Sequence, residues 1–592
     1  MRYLKNTTVL VLGLGESGLA MARWCARCGA NVRVWDSRDA PPQAQALALH
    51  VPSARVLKGP LDADAFAGVR LVLRSPGLAP GDERIAKPLE RAAETGVLVQ
   101  SELELFARAL ADLQLERGYA PKVIAITGTN GKTTTTAMAA QLIARAGKRV
   151  AMAGNIGPTM LQTLADALDL EPAAAPQAPP EPGVDAHTEA HAEANTEAGV
   201  VPAADETWVE DIEDPRRLDG GVAGAAEPAA VPGDDAPAVV LKPPAPAAPV
   251  FEHLPEVWVL ELSSFQLHEA KGFEPSAAAL LNITQDHLDW HGSMADYIAA
   301  KAQVFGKQAV MVINRDDARV ESLVPEPVPV KRRNAKPVAR DVVRFGLTAP
   351  RRPGDYGVVE SGGMAWLVRA LEADPTLKRA KRGAVEDEEL HLQHLMPVDA
   401  LRVRGRHNAA NALAALALAT AIGCPLAPML HGLRDFRGEP HRVQLIATLA
   451  GVDGFDDSKG TNVGATVAAL GGLGADKAPG RLVIILGGDG KGQDFEPLLE
   501  PVRHFARAVA TLGRDAALIE AALAGSGVAM QRHATLEAAT RWCFEQAQPG
   551  DAVLLSPACA SLDMFRNYAH RAQVFVDEVR RLSEQAQRGA ST

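Results

Sequence analysis

The 592-residue chain reads as an α/β protein made of three parallel-sheet units in series, interrupted by a disordered acidic insertion. Three observations predict this. Short apolar strands alternate with helical stretches along most of the length. Twice, at Thr7–Leu19 and at Val123–Ala140, a strand runs through a glycine-rich turn into a helix. One block, from Ala167 to Pro255, breaks the alternation with proline, alanine and acid; it lacks the apolar surface to offset its ordering entropy.

The first unit opens at Thr7 with strand TTVLVL, turn GLGESG, helix LAMARWCARCG and strand ANVRVWD. Short strands at Val69–Leu73 and Val97–Val99 follow, and the unit ends near Leu115. Gly13-Leu14-Gly15-Glu16-Ser17-Gly18, with Asp36 closing the next strand, is a fingerprint for a diphosphate at a helix N-terminus. An NAD(P) oxidoreductase would use the same turn, but that reading leaves the next glycine loop unexplained.

The second unit carries that loop, Thr127-Gly128-Thr129-Asn130-Gly131-Lys132-Thr133-Thr134, between the strand Val123–Ile126 and a helix. Such a turn aims backbone N–H groups and a helix N-terminus at an anion, with Lys132 as a cation and Thr133 as a hydroxyl for Mg²⁺. The pattern G-x-x-x-x-G-K-[ST] wants a glycine at position 126, which is Ile, so this is a shorter loop for ATP or GTP. Glu261 ends the strand Val257–Glu261, where a Mg²⁺ carboxylate is needed. Asn282–Asp289 ends in an acid and His287, a candidate metal site. The alternation continues through Ala277–Leu280 and Val310–Ile313 to a helix at Asn408–Ile422, past a charged hairpin or loop at Leu377–Glu389.

The third unit begins around Phe436. Strand Leu482–Leu486 precedes GGDGKG and strand Ala552–Leu555 precedes SPACAS, both at strand carboxyl ends, where open α/β sheets bind ligands.

Charge and cysteine exclude other classes. The net charge of −11 is concentrated between Ala167 and Val250, where 17 Asp/Glu face only Arg216, Arg217 and Lys242, a local net of −14. The remainder is near +3, too little for a nucleic-acid footprint. Within the insertion Trp208–Asp214 sets an aromatic among acids and reads as solvated linker. Cys25 and Cys28 form a C-x-x-C with no second pair, which predicts reduced helix thiols. The apolar start at Thr7–Leu14 is broken by Glu16 and its glycines, and no long apolar run follows; a cytoplasmic protein without membrane insertion is expected.

TGTNGKTT, AGNIG (Ala153–Gly157), VLELSSFQL (Val259–Leu267), LNITQDHLDWHG (Leu281–Gly292), RGRHNAANALAALA (Arg404–Ala417), DDSKGTN (Asp456–Asn462), GGDGKGQDF (Gly487–Phe495) and LLSPACASLDMF (Leu554–Phe565) together resemble the Mur ligases. The last three, with GLGESG, are similar to the branch that adds D-glutamate, and the resemblance covers nearly everything outside Ala167–Pro255 and Leu377–Glu389. A folate- or cyanophycin-type amide ligase has no reason to carry GLGESG. A non-catalytic nucleotide-binding scaffold has no reason to keep Lys132, Glu261, His287 and Lys301.

The resemblance implies a Rossmann-like UDP-sugar domain (1–117), a central P-loop ATPase domain (118–435) and a Rossmann-like C-terminal domain (436–592). It implies ATP-dependent joining of UDP-N-acetylmuramoyl-L-alanine to D-glutamate through an acyl phosphate, by a monomer using two Mg²⁺ ions. Lys132 and the loop Gly128–Thr134 would hold the phosphates, Thr133 and Glu261 the first Mg²⁺, and His287 the second. Lys301 matches the lysine that is carbamylated in the family. Asn155 would contact the muramoyl-alanine part; Asn408, Asn411, Arg442 and Asp457 would surround the adenosine and phosphates. Lys459, Thr461, Lys491, Ser561 and Leu562 correspond to the D-glutamate pocket, as does Tyr568, where the family also has Phe. Gly15, Ser17, Asp36, Ser37, Arg38 and Ser75 align with the UDP site, with Glu16 pointing away and contributing only its N–H.

Overall fold

The computed structural model describes residues 2–172, 249–268, 270–328, 339–373, 390–403 and 405–590. Three large sheets and a small antiparallel one carry the described residues. The first has order β3-β2-β1-β4-β5, all parallel, from β1 (Thr8–Leu12), β2 (Asn31–Trp35), β3 (Arg55–Leu57), β4 (Val69–Arg74) and β5 (Leu98–Gln100). Its first helix, Glu16–Arg27, begins three residues before the expected Leu19, inside the glycine turn. Close packing is the reason: a side chain on Gly18 would meet the Gly13 carbonyl oxygen at 1.9 Å, so the helix turns directly against the loop. Glu16 is exposed, as expected. Cys25 lies in this helix and Cys28 caps its end; all five cysteines are free.

The second sheet, order β11-β10-β9-β6-β8-β7, is also parallel: β6 (Lys122–Thr127), β7 (Val150–Gly154), β8 (Val257–Glu261), β9 (Ala277–Leu280), β10 (Val310–Asn314) and β11 (Val342–Phe345). Beside it stands an antiparallel sheet that the sequence did not announce: β12 (Tyr356–Ser361), β13 (Met364–Glu372) and β14 (Leu390–Pro397). The charged stretch Leu377–Glu389 lies outside the described residues, between β13 and β14.

The third sheet, order β15-β16-β20-β17-β18-β19, is parallel except for the β15/β16 pair: β15 (Gln444–Leu449), β16 (Val452–Asp456), β17 (Leu482–Gly487), β18 (Ala506–Leu512), β19 (Ala529–Arg532) and β20 (Ala552–Leu555). Strands β16, β20 and β17 are neighbours, which brings their three carboxyl-end loops together.

The insertion is narrower than Ala167–Pro255. Residues 167–170 complete the helix Met160–Leu170, and Leu254 is fully buried. Phe251 packs edge-on against Tyr119, with ring centroids 5.3 Å apart. The Glu171 carboxylate accepts from the backbone N–H groups of Glu252 (3.1 Å), His253 (2.7 Å) and Leu254 (2.6 Å), a clasp that joins the two flanks. Residues 173–248, including Trp208–Asp214, lie outside the described set. Replacing 173–248 by a short Gly/Ser linker, with Glu171 and Leu254 kept, is expected to leave turnover within about twofold. Each halving of loop length returns only ~0.6 kcal/mol, so stability should rise by about 2 kcal/mol at most. A folded deletion protein with lost turnover would show that the segment takes part in catalysis.

Candidate functional site

Physical construction of the site starts at the end of β6. Gly128 and Gly131 carry φ of +156° and +83°, and the helix Lys132–Arg145 starts immediately after. The loop is stapled to the chain leaving β9. Thr129 N donates to the Asn282 carbonyl (2.9 Å), Asn130 N to Asn282 Oδ1 (2.9 Å), and Thr284 N to Thr129 Oγ1 (3.0 Å). The Tyr297 hydroxyl adds a 3.1 Å contact to Thr129 Oγ1. These bonds hold the loop open as a cradle.

Lys132 folds over it, Nζ donating to the carbonyls of Gly128 (2.9 Å) and Thr129 (2.8 Å). Burial lowers its pKa, while Glu261 and Asp286 push back. Lys301, in the helix Met294–Ala302, is 1 % exposed; its Nζ donates to the Gly128 carbonyl (2.8 Å) and stands 4.6 Å from the Tyr297 ring centre. Burial first, then the Lys132 charge, drive its pKa well below that of a free lysine. Glu261 is 1 % exposed at the end of β8. Its Oε1 accepts from Asn155 Nδ2 (2.8 Å), and its Oε2 is buried without a partner. His287 sits at the rim with Nε2 3.5 Å from Asp286 Oδ2; burial lowers its pKa.

The third sheet faces this cradle. Arg442 Nη2 donates to Thr133 Oγ1 (2.7 Å), Asn462 Nδ2 to Asn130 Oδ1 (3.0 Å) and Asp286 Oδ2 (3.3 Å), and Lys491 Nζ lies 4.0 Å from Asp286 Oδ1. A cavity of about 290 Å³ opens between the loop, the helix Arg406–Ala421 and the third sheet. Asn130, Gly131, His407, Asn408, Asn411, Arg442 and Asp457 line it. Asp457 accepts from Ser556 Oγ (2.7 Å), and burial raises its carboxyl to about 7. Among the described residues, seven other than glycine have positive φ, and five of them (His287, His441, Val443, Lys491, Ala558) are on these loops. Strain concentrated there marks a site whose geometry is imposed by its surroundings.

Comparison with known proteins decides the family. Residues 7–99 match the Mur ligase MurD-like N-terminal domain, 126–180 with 248–356 the Mur ligase middle domain, and 441–559 the Mur ligase glutamate ligase domain. Over 588 residues the chain is 51% identical to a UDP-N-acetylmuramoylalanine--D-glutamate ligase of Albidiferax ferrireducens, covering 99% of this chain and 98% of that one. The chain belongs to the Mur ligase family. A protein of the same name from Burkholderia pseudomallei is 50% identical over 574 residues, covering 96% of this chain and 95% of its own. Among solved structures, a UDP-N-acetylmuramate-alanine ligase from Thermotoga maritima aligns over 97% of this chain and 99% of its own, at 17% identity and a TM-score of 0.49.

In this Mur ligase the residues expected at a UDP site gather at the carboxyl ends of β1, β2 and β4. Asp36 accepts from Leu14 N (2.6 Å) and from Arg38 Nε and Nη2 (2.8 and 2.7 Å), and that Arg38 pairing holds its carboxyl down at about 2. Ser75 Oγ donates to the Gly13 carbonyl (2.9 Å), Gly15 caps the helix, and Ser37 is exposed. Near Ser17 lies Glu102, a buried acid pushed to about 7 by burial, whose Oε1 takes Leu161 N (3.2 Å) from the helix after Asn155. The residues expected at a D-glutamate pocket line the loops after β16, β17 and β20. Lys459 Nζ is 5.5 Å from the Tyr568 ring centre, Thr461 N donates to the Lys459 carbonyl (3.0 Å), and Ser561 is buried beside Leu562, which is 72 % exposed.

Sequence reasoning missed Asn282, Thr284, Tyr297, Asn462 and Glu102. The first three lie in or near LNITQDHLDWHG and Asn462 ends DDSKGTN, so the motifs held the signal without a role for each residue. Glu102 had none: its partner Leu161 is far away in sequence.

Proposed function

We propose that this Mur ligase joins D-glutamate to the L-alanine carboxylate of UDP-N-acetylmuramoyl-L-alanine, with ATP split to ADP and phosphate. The observation that carries this reading is the contact of Arg442 and Asn462 with the phosphate loop, which sets two lysine-bearing loops across from a nucleotide cradle. The proposal takes 1–117 as the UDP-sugar domain, 118–435 as the ATPase domain and 436–592 as the D-glutamate domain. It places the enzyme in the cytoplasm as a monomer, since one chain holds a full set of site residues and its cysteines are free thiols. Among the described residues no helix is long and apolar enough to cross a membrane.

The chemistry follows from charge. A carboxylate is a poor electrophile, and an anion must approach the anionic γ-phosphate. Lys132, Arg442 and Lys491 supply the cations that make this approach tolerable. The substrate carboxylate oxygen attacks the γ-phosphorus and ADP leaves, giving an acyl phosphate. The D-glutamate amine, relieved of a proton, then attacks the acyl carbon, and phosphate departs with the C–O bonding pair. Asn155, anchored on Glu261, orients the muramoyl-alanine arm; Lys459, Lys491, Thr461 and Ser561 hold the two carboxylates of D-glutamate.

The residues fit Mg²⁺. Glu261 Oε2 is an orphaned buried oxygen at the end of the strand beside the loop, and Thr133 offers a hydroxyl. Among the described residues no group of three or more His, Cys, Asp or Glu could hold a metal alone. That suits an ion that keeps waters and substrate phosphates in its shell. Thr133 and Glu261 would hold one Mg²⁺, His287 and a carbamylated Lys301 a second; bound there, the ions would neutralise charge on the transferring phosphoryl group.

ATP-dependent phosphate release is expected only when UDP-N-acetylmuramoyl-L-alanine and D-glutamate are both present, with L-glutamate inert. A phosphate-release assay with each substrate omitted in turn checks this. Robust release with meso-diaminopimelate or D-Ala-D-Ala in place of D-glutamate would reassign the enzyme within the family.

A further inference from the structure

We propose that Arg571 is a positioning residue for D-glutamate, tying the loop that carries Lys459 to the loop that carries Ser561. The inference rests on the D-glutamate reading of that pocket given above. Arg571 belongs to the first turn of the helix Tyr568–Ala590 and is 1 % exposed. Its guanidinium donates from Nη2 to the Ser458 carbonyl (3.0 Å) and from Nη1 and Nη2 to the Cys559 carbonyl (both 3.1 Å). Its hydrogen-bond partners are backbone oxygens of two loops that leave neighbouring strands, β16 and β20.

This is an unusual use of a buried cation. Burying a guanidinium is costly unless its donors are satisfied, and a carboxylate is the ordinary partner. Here burial lowers the Arg571 pKa to about 10, its Nε is buried without a partner, and its two Nη groups are spent on carbonyls that have left the sheet ladder. Its rigid planar fork can serve two loops at once, which the single ammonium of lysine cannot do with the same geometry.

The tie fixes the recognition side chains. Ser458 is gripped from both sides: its N–H (2.9 Å) and hydroxyl (2.6 Å) donate to Asp456 Oδ1, and its carbonyl accepts from Arg571. The next residue is Lys459, whose direction is thereby set toward the Tyr568 ring. On the other loop Cys559 lies two residues before the buried Ser561. Tyr568 and Arg571 are three apart on one helix and so neighbours on its surface. One helical turn thus provides both a wall of the pocket and the bond between its loops.

The test uses full-length Arg571→Lys and Arg571→Met with D-glutamate varied at saturating ATP and UDP-N-acetylmuramoyl-L-alanine. The KM for D-glutamate is expected to rise about tenfold in Arg571→Met and by less in Arg571→Lys, which can still reach one carbonyl. The KM for the UDP substrate should stay within about twofold, because its residues hang on other loops, and the KM for ATP should move less than that for D-glutamate, because of its set only Asp457 shares the Lys459 loop. A merely structural arginine would lower the melting temperature and leave the D-glutamate KM at the wild-type value; that result overturns the proposal. Should Arg571→Met fail to fold, Arg571→Lys decides by the same criterion. Wild-type enzyme inert with D-glutamate would instead overturn the pocket assignment and the proposal with it.

Discussion

Lys301→Ala is expected to lose about 10²–10³-fold in turnover, and millimolar acetate or formate to restore part of it. The lysine is nearly inaccessible, and its hydrogen bond goes to the carbonyl of Gly128, the first glycine of the phosphate loop. Burial and the Lys132 charge favour its neutral amine, the form that can add to CO₂ by forming an N–C bond and losing a proton. A carbamate there would be an anion where the ammonium is a cation, so the same side chain would change from repelling a metal to holding one. Truncation to alanine leaves a cleft beside the loop in which a free carboxylate can take that position. Activity of the variant is measured with and without added carboxylate, with acetamide as the neutral control. Near-normal turnover without additive, or equal rescue by acetamide, would remove the carbamate from the account.

The parts of the fold that were legible share a physical cause. Strands such as Val123–Thr127 and Leu482–Gly487 are buried on both faces, so they spell continuous apolar runs, and each ends where its glycines begin. β3 has three residues and starts with Arg55, too short to show a period. β12 and β13 carry Glu360 and Arg369 on a partly exposed antiparallel sheet and end at a turn without an apolar signature. The insertion boundary was misplaced at both ends because composition cannot register a clasp: Glu171 looks like one more acid until its three backbone donors are seen. The site divides in the same way. Residue types on single loops, such as Lys132 or Lys459, could be matched one by one. The bonds between loops could not, since Arg442 to Thr133, Asn462 to Asp286 and Arg571 to Ser458 each join residues more than a hundred positions apart.

Arg442→Ala is expected to lower turnover by about 10³-fold, the scale of a phosphoryl-transfer arginine. Its Nη2 already reaches Thr133 Oγ1 at the start of the loop helix, its Nε is buried with no partner in the protein, and the residue lines the cavity beside the loop. The flanking His441 and Val443 hold positive φ of 64° and 46°, and His441 Nδ1 lies 2.6 Å from Asp456 Oδ2, so the arginine is held inward by a strained, anchored backbone. Strain of that kind costs about 1–3 kcal/mol per residue and persists only where the surroundings impose it. Arg442→Lys should recover only a small part, because one ammonium cannot bond a hydroxyl and a phosphate oxygen together. The control is Asn462→Ala, which removes the contacts to Asn130 and Asp286 and a helix cap without removing charge, and should cost about tenfold or less. Steady-state turnover and thermal melting of all three variants separate lost chemistry from lost packing. If Arg442→Ala keeps its turnover within tenfold of wild type while Asn462→Ala falls further, the third sheet contributes contact rather than charge, and the arginine has no part in phosphoryl transfer.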